Sequence, residues 1–382
     1  VAHNKGLAQM SGVDAEGGDK GRFVYLGARL SVTGLNADEW VPIRAGSEAV
    51  VALGMAAAIA GPNATGPYAN LLGAYSLAQA AEAAGVSEES IRELAERFAS
   101  EGPSLAMGPG VGAHHRNATA ANLAVLILND VAGNVGQTIT IGGGPTASAA
   151  SFSDMADMIG AMASGQVGVA IVHGTNPAYS LPMSSGFQAA FEQVPFKVSF
   201  ASAMDETAAM ADLIMPDRHF LEAWGDSVPR DGVMAIQQPV MQTVPHFDSK
   251  QAGDALLAVS AHLGNDLGSA TFYEYIRSEH EAAEMGDDFE ETWRAALRTG
   301  AVEYGMGSGV DTPQLRSPDR TLTFDVPAFD DGGDLTLIVH PSARFGGGEF
   351  SNSPWMQELP DPVSKITWHS WLEMNPVTAE AR

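Results

Sequence analysis

The sequence contains no cysteine. That excludes a disulfide, a thiolate nucleophile, a thiolate zinc site and iron–sulfur ligation from within this chain. Positive charge is also scarce. Lysine occurs only at Lys5, Lys20, Lys197, Lys250 and Lys365, and 20 basic residues face 46 acidic ones, for a net charge of −26. Such a surface excludes a nucleic-acid partner and charge-driven docking on an anionic membrane, and it suits a high-salt environment. Long apolar runs are missing as well. The longest, "AVVALGMAAAIAG" (49–61), is too short to span a bilayer, so direct membrane insertion is not expected. The N-terminus shows no basic region followed by an apolar one, and no initiator methionine, so it reads as a processed or cut chain without a signal peptide. HExxH, EF-hand and G-x-S-x-G patterns are all absent.

What is present is globular: 382 residues, 45% hydrophobic, enough for two domains. The 42 glycines follow no period, which implies many tight turns rather than a fibrous repeat. "RFVYLGA" (22–28) reads as a short parallel strand. "GSEAVVALGMAAAIA" opens a helix with Ser47 as candidate N-cap and Glu48 in its first turn. "YANLLGAYSLAQAAEAAG" and "SEESIRELAERFAS" read as two more helices, the second capped by Ser87. "SLAMGPGVG" (104–112) reads as a strand, 116–131 as a helix, and 140–154 as a loop or linker. The rhythm resumes with strands at 168–174, 196–202 and 212–216, and helices near 184–193, 250–263, 269–282 and 287–299. "DLTLIVHP" (334–341) reads as a last strand. Uniformly apolar strands alternating with helices predict an α/β chain with parallel sheets covered on both faces.

Four strand ends carry polar loops: "GPGVGAHHRNAT", "HGTNPAYSLP", "SAMDETAAMAD" and "MPDRHFLEAWGD". In open parallel sheets, ligands bind outside the carboxyl ends of the strands, so four such loops favour a cleft over ordinary solvated turns. Gly108, Gly110 and Gly112 suit a close backbone approach to phosphate, though not with dinucleotide-fingerprint spacing. Adjacent His114 and His115 point in different directions on a helix and do not read as a metal pair. Pro177 pushes Asn176 into an extended conformation, offering its amide to a ligand; the alternative is an Asx-turn. Asp205, Glu206 and Thr207 either face a ligand or form only a helix cap, and Asp205 reads as the cap.

The order of these motifs resembles the molybdopterin oxidoreductases of the dimethyl-sulfoxide-reductase superfamily. The matching segments are "RLSVTGLNADEWVPIRAGSEAVVALGMA", "LNDVAGNVGQ", "GTNPAYSLP", "DETAAMADLIMPDRHFLEAWGD" and "NSPWMQELPDPVSKITWHSWLEMNPVTAE". They run in order over most of residues 22–380, and resemble the polysulfide-reductase-like branch and its relatives in alternative complex III. The resemblance implies two Rossmann-like parallel-sheet layers covered by helices, with the beginning of a C-terminal β-barrel domain. Its boundaries would be 1–112, 113–340 and 341–382.

It further implies a bis(molybdopterin guanine dinucleotide) cofactor. Gly46, Ser47 and Glu48 match the loop at one guanine end, and Gly174, Asn176 and Pro177 a loop near the other nucleotide. His114, Asn134 and Gly136 lie where the family approaches pterin or phosphate, while Glu222 and Gly225 match the block after the D-x-x-L-P strand. Ala45 replaces the usual proline, and Met183 stands where an acid is often found. No molybdenum ligand can be placed, and iron–sulfur clusters would lie only in parts outside this chain. The expected protein is the central portion of an oxidoreductase subunit in a respiratory electron-transfer complex. It would be peripheral on the periplasmic side of the cytoplasmic membrane and partnered by an iron–sulfur domain or subunit and a membrane-anchor subunit. The alternatives are a cofactor-free structural subunit of an alternative complex III-type quinol-oxidising assembly, and a freestanding nucleotide-binding enzyme.

Overall fold

The computed structural model describes residues 6–8, 10–12, 20–62, 68–109, 115, 117–139, 150–230, 232–282, 288–303, 333–348 and 350–382. The chain forms two compact units: Val1–Ile141 with Asp311–Gly346 and Trp355–Arg382, and Gly142–Val310 with Gly347–Pro354.

The first unit is dominated by helices. Two short parallel strands, β1 (Val24–Leu26) and β2 (Glu39–Val41), precede α1 (Glu48–Ala60), α2 (Leu77–Ala84), α3 (Glu88–Ser100) and α4 (Ala118–Val131). Because α1 is apolar all round, it can only be a central helix. Every residue from Ala49 to Ala56 is buried, and α2, α3 and α4 pack around it. Gly54 makes the closest approach: a Cβ there would stand 2.6 Å from that of Ala80 on α2. Serine caps set two helix starts, Ser76 accepting from Gln79 N–H and Ser87 from Ser90 N–H.

Three expectations for this unit need correction. The expected helix over 68–85 is a helical turn, Ala69–Leu72, followed by α2, because Ser76 starts a new helix. Ser47 does not cap α1 with its side chain: its backbone is helical, and its hydroxyl donates back to the Arg44 carbonyl at 2.6 Å. Residues 104–109 join no ladder, since the Asn129 side chain takes the place of a neighbouring strand.

In the second unit, β3 (Val169–Val172), β4 (Phe196–Ser199) and β5 (Leu213–Ile214) form a parallel sheet in that order. Its register puts Ala170 and Val172 on the face that packs against α5 (Phe152–Ala163) and α6 (Phe187–Glu192). On the other face, Val198 packs against α7 (Ala252–His262). The helix α5 was not expected. It begins inside the expected linker, where Ser151 and Asp154 form a capping box. A second, antiparallel sheet was also missed: β6 (Gly225–Arg230), β7 (Val233–Gln237) and β8 (Ala301–Glu303). It packs with α8 (Phe272–Ala282) and α9 (Phe289–Thr299) around buried Ile236, Ile276, Trp293 and Ala296. The expected strand at 334–341 joins no ladder with described residues, and Leu335, Leu337 and Val339 stand exposed.

Candidate functional site

In the parallel sheet of the second unit, all three strands run in one direction, so the loops at 173–177, 200–207 and 215–222 gather on its carboxyl-end rim. His173 follows β3, and Phe200 follows β4 at the centre. Asp217 follows β5. The His173 ring meets Phe200 edge-on, and its Nε2 lies 2.6 Å from Asp217 Oδ2. The other carboxylate oxygen of Asp217 accepts from the backbone N–H groups of Arg218 (2.8 Å) and Ala252 (2.9 Å). An edge-strand histidine is thus tied across the central strand to a carboxylate that the backbone fixes in place.

Asn176 forms the second knot. Its Oδ1 accepts the Thr207 hydroxyl at 2.7 Å, and its Nδ2 donates to Glu206 Oε2 at 2.7 Å. The Ala178 N–H, which an Asx-turn would direct to Asn176, goes instead to Thr207 Oγ1 at 3.0 Å. The Asn176 amide holds the Glu206 carboxyl below the ordinary glutamate range, because its hydrogen bond favours the ionised form. Pro177 opens a helical turn, Pro177–Ser180, as its fixed φ allows. Gly174 has φ +64, and nothing approaches the place of its missing Cβ within 4 Å. Asp205 caps the next turn as expected, accepting from Ala208 N–H at 2.7 Å.

Glu222 and Gly225 lie on the loop after β5. Glu222 Oε1 accepts from Val244 N–H at 2.8 Å and Oε2 from His219 N–H at 3.2 Å, which closes the loop on itself. Gly225 begins β6, opposite Gln237. Met183, expected to replace an acid, is 96% exposed.

In the first unit, the turn before α1 uses Gly46 at φ +83 and buries Ser47. Glu48 faces the His115 ring, with Oε2 3.3 Å from Nε2, while His115 Nδ1 accepts from Asn117 N–H. Asn134 is buried at the end of α4. Its Nδ2 donates to Ser104 Oγ (3.1 Å) and Asn129 Oδ1 (3.2 Å). Asn129 in turn exchanges bonds with both backbone groups of Ala106. Gly136, at φ +85, donates its N–H to Ile139 O. A Cβ on Gly108 would meet the end of the exposed Asn122 side chain, which would have to move. His114, Gly110 and Gly112 lie outside the described residues.

Residue-type reasoning singled out Asn176 but did not join it to its partners. His173 was overlooked, and for Glu206 and Thr207 a helix cap and a ligand contact were both open. The available signal was a histidine closing the apolar run "VAIV", where a strand end leaves the core.

Comparison with known proteins adds the family. The chain matches the molybdopterin oxidoreductase family over residues 15–260. It is 33% identical over 312 residues to the menaquinone reductase, molybdopterin-binding-like subunit of Nitratidesulfovibrio vulgaris. That match covers 74% of this chain and 44% of the relative, so the chain spans less than half the relative's length. Among solved structures, acetylene hydratase from Pelobacter acetylenicus shares the fold, with a TM-score of 0.56 at 16% identity. That likeness covers 74% of this chain and 48% of the other. On the family match over residues 15–260, the chain belongs to the molybdopterin oxidoreductase family.

Proposed function

We propose that this chain is the central portion of a menaquinone-reductase-like oxidoreductase subunit, acting in a membrane-associated respiratory electron-transfer complex. The similarity to the subunit of N. vulgaris supports this reading. So do parallel strands whose carboxyl-end loops share one rim. Its partners would be an iron–sulfur domain or subunit and a membrane-anchor subunit, with the chain peripheral on the periplasmic face. No helix among the described residues is long and apolar enough to cross a membrane. Residues 341–382 would open a C-terminal barrel domain.

The family implies a molybdopterin cofactor, and the donor groups of the two units test that residue by residue. Nothing lies within 4 Å of where a Cβ of Gly174 would stand, so the backbone there is open to approach. The side chains assigned to the cofactor fit poorly, because protein groups already use them. Ser47 bonds Arg44, Asn134 bonds Ser104 and Asn129, Asn176 bonds Thr207 and Glu206, and Glu222 bonds two backbone N–H groups. Opening any of these leaves a buried or half-buried polar group to be re-paired, at roughly 1–3 kcal/mol each. This single observation favours the second expectation: a molybdopterin-type cradle kept as a structural layer of an alternative complex III-type assembly. In the rival reading, the cradle is loaded with bis(molybdopterin guanine dinucleotide).

Metal and nucleotide analysis of the full-length parent protein, expressed natively, separates the two. A well-folded sample without molybdenum, tungsten or acid-released GMP supports the structural reading. About one metal and two guanine nucleotides per chain, as a bis-dinucleotide cofactor requires, would overturn it and restore the loaded cradle.

A further inference from the structure

The two faces of the β3–β4–β5 sheet are finished differently. The register sets Val169 beside Phe196, and Ile171, Val198 and Leu213 in the next row, so these five apolar side chains share one face. No charged residue of the three strands joins them, because Lys197 alternates to the other side. That other side packs against α5 and α6. On the apolar face, Ala252 and Ala255 of α7 cover Val198, and the remaining four positions stand in water. Val169 is 54% exposed, Ile171 53%, Phe196 43% and Leu213 41%.

The open surface continues on α7. Its apolar residues recur at helical spacing and form one stripe, of which Ala252 and Ala255 are buried against the sheet. Further along the same stripe, Leu256, Val259 and Leu263 are exposed. A parallel sheet is ordinarily covered on both faces, and a contiguous apolar patch of this kind marks a surface that something else buries.

We propose that an amphipathic helix of the same polypeptide, from outside residues 1–382, covers this face in the intact subunit. The inference rests on the reading of this chain as the central portion of a larger subunit. The matched stretch is only 44% of the N. vulgaris relative, so more than half of a polypeptide of that kind is available to supply the helix. A helix is also the cover that the opposite face already uses. A tethered segment reaches the face at high effective concentration and closes it before apolar surfaces meet one another. A second copy of this chain is the poorer occupant, because it brings another net charge of −26 against the first.

The test uses the full-length parent protein, with the photo-crosslinking residue p-benzoyl-phenylalanine in place of Phe196 or, separately, Ile171. Irradiated protein is digested and the coupled peptides are identified by mass spectrometry. Both positions are expected to couple, within one polypeptide, to a segment outside residues 1–382, at residues three, four or seven apart. The same probe in place of Phe152, exposed at the start of α5, should not reach that segment. Ile171→Asp gives a second readout. A charge under the helix should lower the melting temperature by about 5 °C or more, and Ile171→Ser is measured instead if that variant does not fold. Coupling between two copies, to a partner subunit, to residues within 1–382, at alternate residues of an extended segment, or to nothing overturns the proposal. An unchanged melting temperature also overturns it. In a longer parent polypeptide such a result removes this inference alone, whereas a parent without further residues would remove the central-portion reading with it.

Discussion

Each unit contains an asparagine clamp, and the two sit in opposite settings. In the first unit, Asn129 lies 1% exposed on α4 and holds the extended backbone at Ala106 by both its N–H and its carbonyl. In the second, Asn176 sits on a rim loop and joins two polar side chains of a neighbouring loop. The same amide chemistry therefore replaces a missing strand in one place and positions a loop in the other. The buried clamp bears on folding stability. The rim clamp bears on which groups the loops can offer to a ligand.

The sharpest way to break this contrast is Asn129→Ala. It strands the half-buried Ala106 N–H and C=O and removes the bond from Asn134, so a loss of about 2–3 kcal/mol is expected in denaturant unfolding. A loss below 1 kcal/mol would mean that water replaces the amide, and that the clamp is not structural. Gly54→Ala probes the same unit through packing. Helix propensity alone would make alanine stabilising by about 1 kcal/mol. Contact with the Ala80 Cβ and the Ser76 carbonyl predicts the opposite sign, a net loss of about 1–2 kcal/mol. A stabilised variant would show that α1 and α2 can separate freely.

The sequence made some of this legible. The all-apolar pattern of 49–60 identifies a central helix, and the apolar runs at 168–174 and 196–202 identify parallel strands; the burial on both sides that such runs lead one to expect does not hold for β3, where Val169 and Ile171 stand exposed. The motif order identified the family. What stayed hidden depends on long-range partners. No local pattern shows that Asn129 would replace a strand beside Ala106, or that His173 would reach past Phe200 to Asp217. The antiparallel β6–β7–β8 sheet was missed because "GDSVPR" contains a proline and charged residues, which do not read as a strand. Ser47 matched a cap by residue type, yet its helical backbone turned the hydroxyl back to Arg44.

At the rim, Thr207→Val tests whether the second clamp has similar strength. Thr207 is 1% exposed, donating to Asn176 and accepting from the Ala178 N–H, so valine leaves one buried N–H unpaired. A loss of about 1–2 kcal/mol is expected, smaller than at Asn129 because one backbone group is stranded rather than two. Equal losses at the two positions would erase the distinction between the clamps.

The smallest effect is a pH dependence at Glu206. The Asn176 amide donates to its carboxylate and holds its titration below the ordinary glutamate range. A group whose folded value is depressed contributes stability that is fully present above its unfolded value and is lost as pH falls through the folded one. Glu206→Gln should therefore flatten the acid limb of the melting temperature against pH, and the small loss it causes should be present at neutral pH and vanish below the usual carboxylate range. Because the partner is a neutral amide, this slope should survive about 1 M salt, where the Debye length is about 3 Å. Glu39 in the first unit supplies the contrast, since it is lowered chiefly by its bond to Arg22 and further by Arg97. The slope removed by Glu39→Gln should shrink in the same salt. If salt erased both slopes equally, Asn176 would not be what depresses Glu206, and the rim clamp would reduce to general surface electrostatics.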